Sequence, residues 1–424
     1  VEIALLNLLL RMVYQRERLP NLTHNIEHGN SLISGAESEL KKVFGSTWKE
    51  KAPFNWQERF SSVFKDGGFD VVVGNPPYIK ENIDKSVFDG LHGSSYYQGK
   101  MDIWTLFACQ SIDHLKEGGY FSFIAPNSWL TNSGASILRD KILKEGEILS
   151  FIDFGGFKVF KDAGIQTMIF VFQKKKPRAS YTLKYVKVVN SEIVENKVAG
   201  LLNSNLLTVP EGVEYFDIDF TPQKHLNTTI SFSSSSNQDV LDKIEKVSDF
   251  KLEEKEIAQG VVPNPDVVNT RNIKDIKDSD IEKFSIKVGQ GVFVIKKDSI
   301  SVKDYEREFI KPLYETGEVG RYFFDSRNRK ELIYIPRGTQ LKSDSELLVH
   351  LNKFRPIIEK RRENMSGQIS FFNLHWPRDK NFFEKGAKII SARKCKVPSF
   401  SYNNSTTYVM LTFNVIKSNR INLK

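Results

Sequence analysis

Positions 75–78 read Asn-Pro-Pro-Tyr, a turn whose residue types are suited to chemistry on a nitrogen atom. The turn follows directly on an apolar run, Val71–Val73, that ends at Gly74 and is typical of a buried strand. In open α/β sheets, ligands bind at the carboxyl ends of strands. We therefore expect residues 75–78 to form part of a ligand site. The alternative is a proline-rich turn that only closes the strand.

The chemistry that these residues suit is the alkylation of a planar exocyclic amine, such as that of adenine. Such a nitrogen is a poor nucleophile because its lone pair is delocalised into the ring. The side-chain carbonyl of Asn75 and the backbone carbonyl of Pro76 can each accept one N–H bond and draw the nitrogen toward a tetrahedral geometry. Pro76 and Pro77 have fixed φ angles, and the ring of Tyr78 can stack on the base. A strong base is not needed, because the amine becomes acidic once it attacks a sulfonium methyl group.

Composition bounds the classes of protein that this chain can belong to. Its 424 residues allow two or three domains, with 40% apolar and 27% charged residues. No apolar run reaches the roughly eighteen residues of a membrane span, and the first segment lacks the features of a signal peptide. Only Cys109 and Cys395 are present, which favours the reducing cytoplasm and predicts neither disulfides nor a metal site. The net charge of +9 favours a nucleic-acid partner.

Alternating strand and helix patterns predict an α/β fold with a doubly wound sheet that presents the turn. Helices are expected over residues 1–18 and 101–117, the second stopped by Gly118-Gly119. Its apolar face would hold Ile103, Leu106, Phe107, Ile112 and Leu115. Strands are expected near residues 24–28, 69–74, 120–125, 148–154 and 166–173.

A polar stretch, SFSSSSNQ at residues 231–238, is the predicted linker between two domains, residues 1–230 and 239–424. The second domain shows short strand patterns with turn residues between them and a helix near residues 345–363.

The segment GFDVVVGNPPYI resembles motif IV of the amino-methyltransferases that use S-adenosylmethionine. In particular it is similar to the adenine-specific DNA methyltransferases of type IIG restriction–modification systems with a TaqI-like carboxyl-terminal region. The resemblance continues through LKEGGYFSFIAPNSWL and, more weakly, through the order of landmarks such as YIPRG and HWPR. It implies a Rossmann-like methyltransferase sheet and a mixed α+β target-recognition domain. It also implies S-adenosylmethionine as cofactor and double-stranded DNA as partner.

The resemblance implies roles for further residues. The family's residue at the position of Asn30 contacts the adenine ring of the cofactor, although an Asx turn at that position is an equal alternative. Asn75 is also expected to bind the cofactor. Phe160 stands where the family has a phenylalanine that packs on the flipped base, together with Tyr78, although it can also be a hydrophobic plug of its loop. Trp104 is interpreted as a core residue.

An adenine inside a duplex cannot reach Asn75 unless it is flipped out of the stack. A protein that does this needs contacts to phosphates, and basic residues of the second domain are the candidates. The predicted phosphate contacts are Lys360, Arg361, Arg362, Lys388, Arg393, Lys394 and Lys396, although each of them singly can also be an ordinary solvated surface charge. The polar residues 401–408 are either a recognition loop or an ordinary turn.

The family's glycine-rich cofactor loop is not found before Asn30. We therefore expect the chain to be the part of a methyltransferase from about motif III onward, with two sheet strands upstream. Type IIG enzymes also carry an amino-terminal nuclease domain, but no P-D…(D/E)-x-K pattern is evident in these residues.

Three hypotheses about function follow. The first is an enzyme that methylates adenine in duplex DNA. The second is a DNA-recognition fragment without catalysis of its own. The third is a protein-glutamine methyltransferase of the same motif class, which a basic carboxyl-terminal domain of this length disfavours.

Overall fold

The computed structural model divides the chain into two compact units, residues 1–247 and 248–424. Each unit is built around its own sheets and core. The linker predicted at 231–238 falls mostly outside the described residues. The described residues are 1–13, 22, 25–160, 164–193, 195–202, 210–232, 240, 243–274, 276–325, 327, 329–395 and 397–420.

A six-stranded mixed sheet forms the centre of the first unit, in the order β1-β2-β4-β3-β5-β6. Strands β1, β2, β3 and β5 run in one direction, and β4 and β6 run in the other. The structure confirms the α/β class and the four strands predicted between residues 69 and 173. The strands are β1 Phe69–Gly74, β2 Leu115–Pro126, β3 Gly146–Asp153, β4 Thr167–Lys174, β5 Tyr181–Val188 and β6 Val213–Phe220.

Helices cover both faces of this sheet. The helices of the first unit are α1 Glu2–Val13, α2 Glu37–Phe44, α3 Trp56–Arg59, α4 Ser61–Lys65, α5 Trp104–His114, α6 Ser136–Glu145 and α7 Glu195–Leu202. On one face, α5 and α6 bury Trp104, Ile112 and Leu138 against Phe121 and Phe170 of the sheet. On the other, Val198 of α7 belongs to a smaller cluster with Phe154 and Val188.

The helix predicted over residues 101–117 is shorter than expected. It ends at His114, and β2 begins at Leu115, so Gly118 and Gly119 lie inside a strand instead of stopping a helix. The reason is the pairing with β1, which extends down to Leu115 opposite Phe69. Gly119 is needed there, because a Cβ atom would lie 2.9 Å from the carbonyl oxygen of Phe69.

Two other predictions near the amino end need correction. Residues 25–28 form no strand, and only Asn30 makes an isolated bridge, to Pro53. Ile26 is the one large apolar residue in that stretch, so it offers no apolar side to a sheet. The helix predicted over residues 1–18 forms over Glu2–Val13, and residues 14–18 lie outside the described ranges.

Glycine is required at the end of β1. A Cβ atom at Gly74 would lie 2.8 Å from a ring carbon of Phe123 on β2. Any side chain would therefore displace either the ring or the strand end that leads into residues 75–78. Among the described residues β1 pairs only with β2, and Val71 and Val73 on it are exposed. The burial predicted for this strand is therefore not observed, because no second strand covers its free edge among the described residues.

Two four-stranded sheets and a short hairpin form the second unit, with the orders β15-β9-β12-β8 and β14-β13-β16-β7. They share one core that includes Phe293, Leu332, Leu351, Ile390 and Tyr408. The strands are β7 Ile257–Gln259, β8 Val294–Lys296, β9 Ile310–Tyr314, β10 Val319–Gly320, β11 Phe323–Phe324, β12 Lys330–Ile333, β13 Lys388–Ala392, β14 Phe400–Asn403, β15 Tyr408–Val409 and β16 Phe413–Ile416. The helices are α8 Thr270–Lys274, α9 Asp278–Phe284, α10 Glu346–Lys353, α11 Arg355–Ile358 and α12 Arg362–Met365.

The helix predicted near residues 345–363 is broken into α10, α11 and α12. Pro356 lies in the first turn of α11, where its missing N–H is tolerated, but it cannot continue α10. The start of α10 is well capped, since the hydroxyl of Ser345 accepts the N–H of Leu348 at 3.0 Å.

Candidate active site

The carboxyl ends of β1, β2 and β3 lie at one edge of the first unit's sheet, because these strands run in the same direction. Asn75 follows β1, Asn127 follows β2 and Asp153 ends β3. The Asn127 amide donates to the Asp153 carboxylate at 3.1 Å, which ties the second and third strand ends together. The turn at residues 75–78 therefore stands at an edge built from several strand ends, where ligands bind in open sheets.

The side chains of Asn75 and Tyr78 hold each other in place. The Tyr78 hydroxyl lies 2.8 Å from Oδ1 of Asn75 and 2.7 Å from the backbone oxygen of Ile124 on β2. Its single hydrogen is shared between these two acceptors. The carbonyl oxygen of Asn75 has two lone pairs, so one remains for another donor. Asn75 is exposed, and its acceptor is oriented before any substrate arrives.

Tyr78 stays neutral under ordinary conditions. Burial, with a smaller contribution from the charge of Asp102, raises the pKa of Tyr78 to about 12. Its ring is half-buried and packs against the core cluster between α5 and the sheet. The hydroxyl is therefore a lasting hydrogen-bond donor that joins the turn to β2.

A cavity of about 490 Å³ adjoins the turn, within the range of small-molecule sites, about 300–1,000 Å³. Pro77 and Asn30 both line it, so the structure brings together the turn and the residue predicted to contact the cofactor. Pro76, by contrast, is buried. The other walls are mostly apolar and come from Leu32, Ile33, Ile79, Val87, Leu91, Ile103 and Phe107, with Lys51, Ser86 and Asp89 among the polar groups.

Asn30 forms the Asx turn that the sequence left open as an alternative. Its Oδ1 accepts the N–H of Leu32 at 3.2 Å, and its own N–H donates to the Ala52 oxygen at 2.6 Å. These bonds hold the residue at the cavity wall and occupy Oδ1 locally. A ligand could therefore contact the Nδ2 group of Asn30 or the second lone pair of its Oδ1.

The cavity fits the adenosine part of S-adenosylmethionine by its size and chemistry. Apolar walls such as Ile79 and Leu91 suit the faces of a purine ring, and amide or hydroxyl groups such as Asn30 and Ser31 suit its polar edge. Pro77, which lines this cavity, is two residues from Asn75.

Phe160 lies in the loop between β3 and β4, at the same edge of the sheet as Asn75. It is half-buried, while its neighbours Phe157 and Val159 pack against the cluster of Phe154 and Val188. Residues 161–163, which complete the loop, lie outside the described ranges. Trp104 is fully buried and meets Trp129 with ring centroids 6.4 Å apart, as expected of a core residue.

A buried carboxylate beside the turn had no assigned role in the sequence interpretation. Asp102 is only 8% exposed, and its Oδ1 has no hydrogen-bond partner among the described residues. Burial raises its pKa. It lines a cavity of about 10 Å³ with Thr105, Ser128 and Asn132, room for about one water molecule. The signal in the sequence was a charged residue at the start of an apolar helix.

The basic residues predicted to contact phosphates do not share one environment. Lys360, Arg362, Arg393 and Lys394 are exposed, and Lys396 lies outside the described residues. The structure contradicts the prediction for Arg361 and Lys388, because both are buried.

Arg361 is a structural residue. Its guanidinium donates to the backbone oxygens of Asn373 at 3.0 Å and Phe371 at 2.8 Å, and to Oδ1 of Asn364 at 2.6 Å. Further bonds reach the oxygens of Ile358, Asn264 and Ser370. With its donors used in this way, Arg361 cannot reach a phosphate in this conformation.

Lys388 is enclosed because the register of β13 turns it toward the core. Its Nζ donates to the backbone oxygen of Ser405 at 2.5 Å. Burial lowers the pKa of Lys388 to about 8, from an ordinary value of 10.5.

The low pKa of Lys388 predicts a stability effect at alkaline pH. Between about pH 8 and 10.5 the unfolded chain holds a proton at this residue that the folded chain has lost, so the free energy of unfolding should rise with pH. Each unit of pKa difference is worth about 1.4 kcal/mol. Urea unfolding across this window should show the rise in wild type and in Lys385→Met, a variant at an exposed lysine, but not in Lys388→Met. Equal slopes in all three proteins would contradict the assignment.

Within the described residues, no helix is long and apolar enough to span a membrane. Those residues also contain no group of three or more His, Cys, Asp or Glu side chains that could hold a metal ion.

Comparison with known proteins bears on the first unit. Residues 1–160, which include the turn and the cavity, match the family model of the Eco57I restriction-modification methylase. This part of the chain is similar to restriction-modification methylases. The type II restriction enzyme and methyltransferase RM.Eco57I of Escherichia coli is 34% identical over 181 residues, covering 40% of this chain and 16% of its own length. The type II methyltransferase M.HincII of Haemophilus influenzae is 29% identical over 129 residues, covering 29% of this chain and 26% of its own length.

These restriction-modification relatives are therefore much longer than the segment that matches. Among solved structures, the type IIL restriction-modification enzyme MmeI in complex with DNA aligns over 86% of this chain and 42% of its own. The TM-score of this alignment is 0.46, at 10% identity.

Proposed function

We propose that this protein is the DNA methyltransferase of a restriction–modification system and that it transfers a methyl group from S-adenosylmethionine to the N6 amine of adenine in double-stranded DNA. One observation carries the proposal. An exposed Asn75 carbonyl, held by the Tyr78 hydroxyl at a strand end, adjoins a cavity of cofactor size through Pro77. The similarity of residues 1–160 to restriction-modification methylases supports it.

In the proposed mechanism, Asn75 and Pro76 act as paired acceptors. The unused lone pair of Asn75 Oδ1 and the backbone oxygen of Pro76 accept the two N–H bonds of the adenine amine. The nitrogen lone pair is then no longer delocalised into the ring, and it is directed away from both acceptors. S-adenosylmethionine supplies the electrophilic methyl group when bound. With that group bound, the nitrogen would form the new N–C bond as the sulfur–methyl bond broke, and the amine would then lose a proton to solvent.

Access to Asn75 requires that the adenine leave the duplex, which costs a few kcal/mol of unstacking. We propose that the rings of Tyr78 and Phe160 stack on the extruded base. Both residues are half-buried and belong to loops at the same edge of the sheet, which supports this role.

We assign target recognition to the second unit, corresponding to the predicted domain of residues 239–424 and to a TaqI-like recognition domain. The distribution of charge supports this division. The excess of lysine and arginine over acidic residues lies entirely in residues 248–424, whereas residues 1–247 are close to neutral. Phosphate contacts would then come from the exposed residues Lys360, Arg362, Arg393 and Lys394.

A methylation assay with the full-length protein tests the proposal. The protein is incubated with tritiated S-adenosylmethionine and duplex DNA, and the DNA is then digested to nucleosides. We expect the label in N6-methyldeoxyadenosine and none in methylated deoxycytidine. Label on a release-factor protein instead of DNA, or on cytosine, would show that the proposal is wrong. RM.Eco57I is named as a restriction enzyme as well as a methyltransferase, so the same DNA should also be checked for Mg²⁺-dependent cleavage.

Replacing Tyr78 with phenylalanine separates the two roles of this residue. The ring would remain for stacking, but Asn75 would lose the donor that orients it at 2.8 Å. We expect kcat to fall about tenfold, with the dissociation constant for DNA unchanged. Single-turnover methylation and a DNA-binding titration measure the two quantities. A Tyr78→Phe enzyme with the kcat of wild type would show that the hydroxyl has no part in orienting Asn75.

A further inference from the structure

The sheet β14-β13-β16-β7 of the second unit has one side in the core and one side toward solvent. Ile390, Ser401 and Val415 lie opposite one another on neighbouring strands, and all three are buried on the core side. On the other side, residues opposite one another in the register form a row across the four strands. That row consists of Phe400, Ser391, Asn414 and Gln259, all exposed or half-exposed.

Arg378 extends this row beyond its last strand. Its Nη2 donates to Oε1 of Gln259 at 3.3 Å, and its guanidinium carbon lies 5.3 Å from the ring centroid of Trp376. Trp376 is itself 45% exposed. The guanidinium is therefore held between an amide and an indole ring at the surface.

The backbone of Arg378 also suggests a function. Its φ is +63°, in the left-handed region that side-chain-bearing residues rarely adopt. Such conformations persist where the surroundings enforce them, often at binding sites. Here the backbone oxygen of Arg378 accepts the Tyr334 hydroxyl at 3.1 Å. The Nε of Arg378 is buried and has no partner among the described residues. The arginine is thus held in position, and no carboxylate of the described residues forms an ion pair with it.

We propose that Arg378, Gln259 and Asn414 read base edges of duplex DNA, an inference that rests on the proposed DNA methyltransferase function and names its specificity-determining residues. An arginine matches the two acceptors of guanine in the major groove, and the amides of Gln and Asn match the donor and acceptor of adenine. The Ser391 hydroxyl can form a hydrogen bond with either guanine or adenine. These residue types are those of direct readout, whereas a surface that held only phosphates would need only positive charge.

The charge and size of this face also fit DNA. The exposed face carries this row of four side chains and a neighbouring row of four, and none of the eight is acidic. The second unit, which contains this sheet, also holds the chain's excess of lysine and arginine over acidic residues. Strands spaced about 4.8 Å apart make the four-strand row about 14 Å long. With a rise of about 3.4 Å per base pair, this row faces about four base pairs. The neighbouring row, Tyr402, Ile389, Ile416 and Ile257, is apolar and suits thymine methyl groups.

Selection from a random duplex library with the full-length protein tests this inference independently of methylation. Bound duplexes are sequenced for wild type and for Arg378→Lys, Gln259→Ala and Asn414→Ala. Arg378→Lys keeps the charge but loses the planar fork of donors. We expect each variant to relax the preference at one or two base pairs by about tenfold to a hundredfold, the range for a single bidentate contact. Arg378→Lys should retain non-specific affinity and its salt dependence.

Arg271→Ala is the matched control, since Arg271 is exposed on α8 of the same unit. It should leave the ranking of sequences unchanged, and circular dichroism should show that every variant is folded. The inference is overturned if wild type selects no sequence, or if all three variants select the wild-type sequence. It is also overturned if they alter only self-association, which would make the face a protein interface. If wild type selects a sequence but transfers no methyl group to it, the proposed function fails while this inference stands.

Discussion

Replacing Asn75 with alanine should lower the rate of methyl transfer by about a hundredfold to a thousandfold, the range seen when one preorganised hydrogen-bonding group is removed from an active site. The loss should appear in kcat, because Asn75 acts on the amine as it becomes tetrahedral. DNA affinity should stay within about twofold of wild type. Stability should change little, since Asn75 is exposed and Tyr78 keeps its bond to Ile124. Single-turnover transfer of tritium to DNA measures the rate.

Two further variants sharpen the test of Asn75. Asn75→Asp keeps an acceptor oxygen at the same place and should retain more activity than Asn75→Ala. Asn82→Ala removes another exposed carboxamide shortly after the turn and should behave like wild type. If Asn75→Ala retained more than about a tenth of the wild-type rate, the paired-acceptor mechanism would be untenable.

Replacing Arg361 with alanine should destabilise the second unit by about 3 kcal/mol or more, because each buried acceptor left without a donor costs about 1–3 kcal/mol, and this is among the largest effects expected of a single substitution. The variant would leave several buried backbone oxygens, including those of Asn373 and Phe371, without donors. It would also remove a side chain that packs over the ring of Phe293. Hydrogen exchange of amides in residues 248–424 measures the loss, with exchange in residues 1–247 as an internal reference.

Arg362 provides the matched control for this prediction. It is the next residue and is exposed, so Arg362→Ala should change the free energy of unfolding by less than about 0.5 kcal/mol. If it contacts phosphate as proposed, the same variant should weaken DNA binding to all sequences alike and reduce the salt slope by about one. Similar stability of the Arg361→Ala and Arg362→Ala proteins would show that the hydrogen bonds of Arg361 do not stabilise the second unit.

Local sequence determined the strand end and the turn that follows it. The apolar run before Gly74 predicts a strand, and two successive prolines specify a rigid extended turn, because both effects act between neighbouring residues. The burial expected of this strand is not observed, since Val71 and Val73 are exposed. The chemical types of Asn75 and Tyr78 were enough to suggest an amine as substrate. Similarly, the strands β3 and β4 were predictable from apolar runs of ordinary length, and the α/β class followed from their alternation with helices.

Boundaries and orientations were not predictable in this way. The end of α5 at His114 depends on β1 pairing as far as Leu115, a contact between segments distant in the chain. Arg361 and Arg362 are neighbours of the same type, yet Arg362 is exposed while Arg361 is buried, because the Arg361 guanidinium binds backbone oxygens of Asn373 and Phe371 in a later segment.

Adjacent residues alone thus specified where β1 ends and which functional groups follow it, because dihedral restrictions and apolar runs act over a few residues. Only the tertiary structure decided how those groups are used. The bond from Tyr78 to Ile124, the shared cavity of Asn30 and Pro77, and the pair of Gln259 and Arg378 all join separate segments. Within a sheet, strand register decides which side chains share a face, since a shift of one residue would turn every side chain to the opposite face.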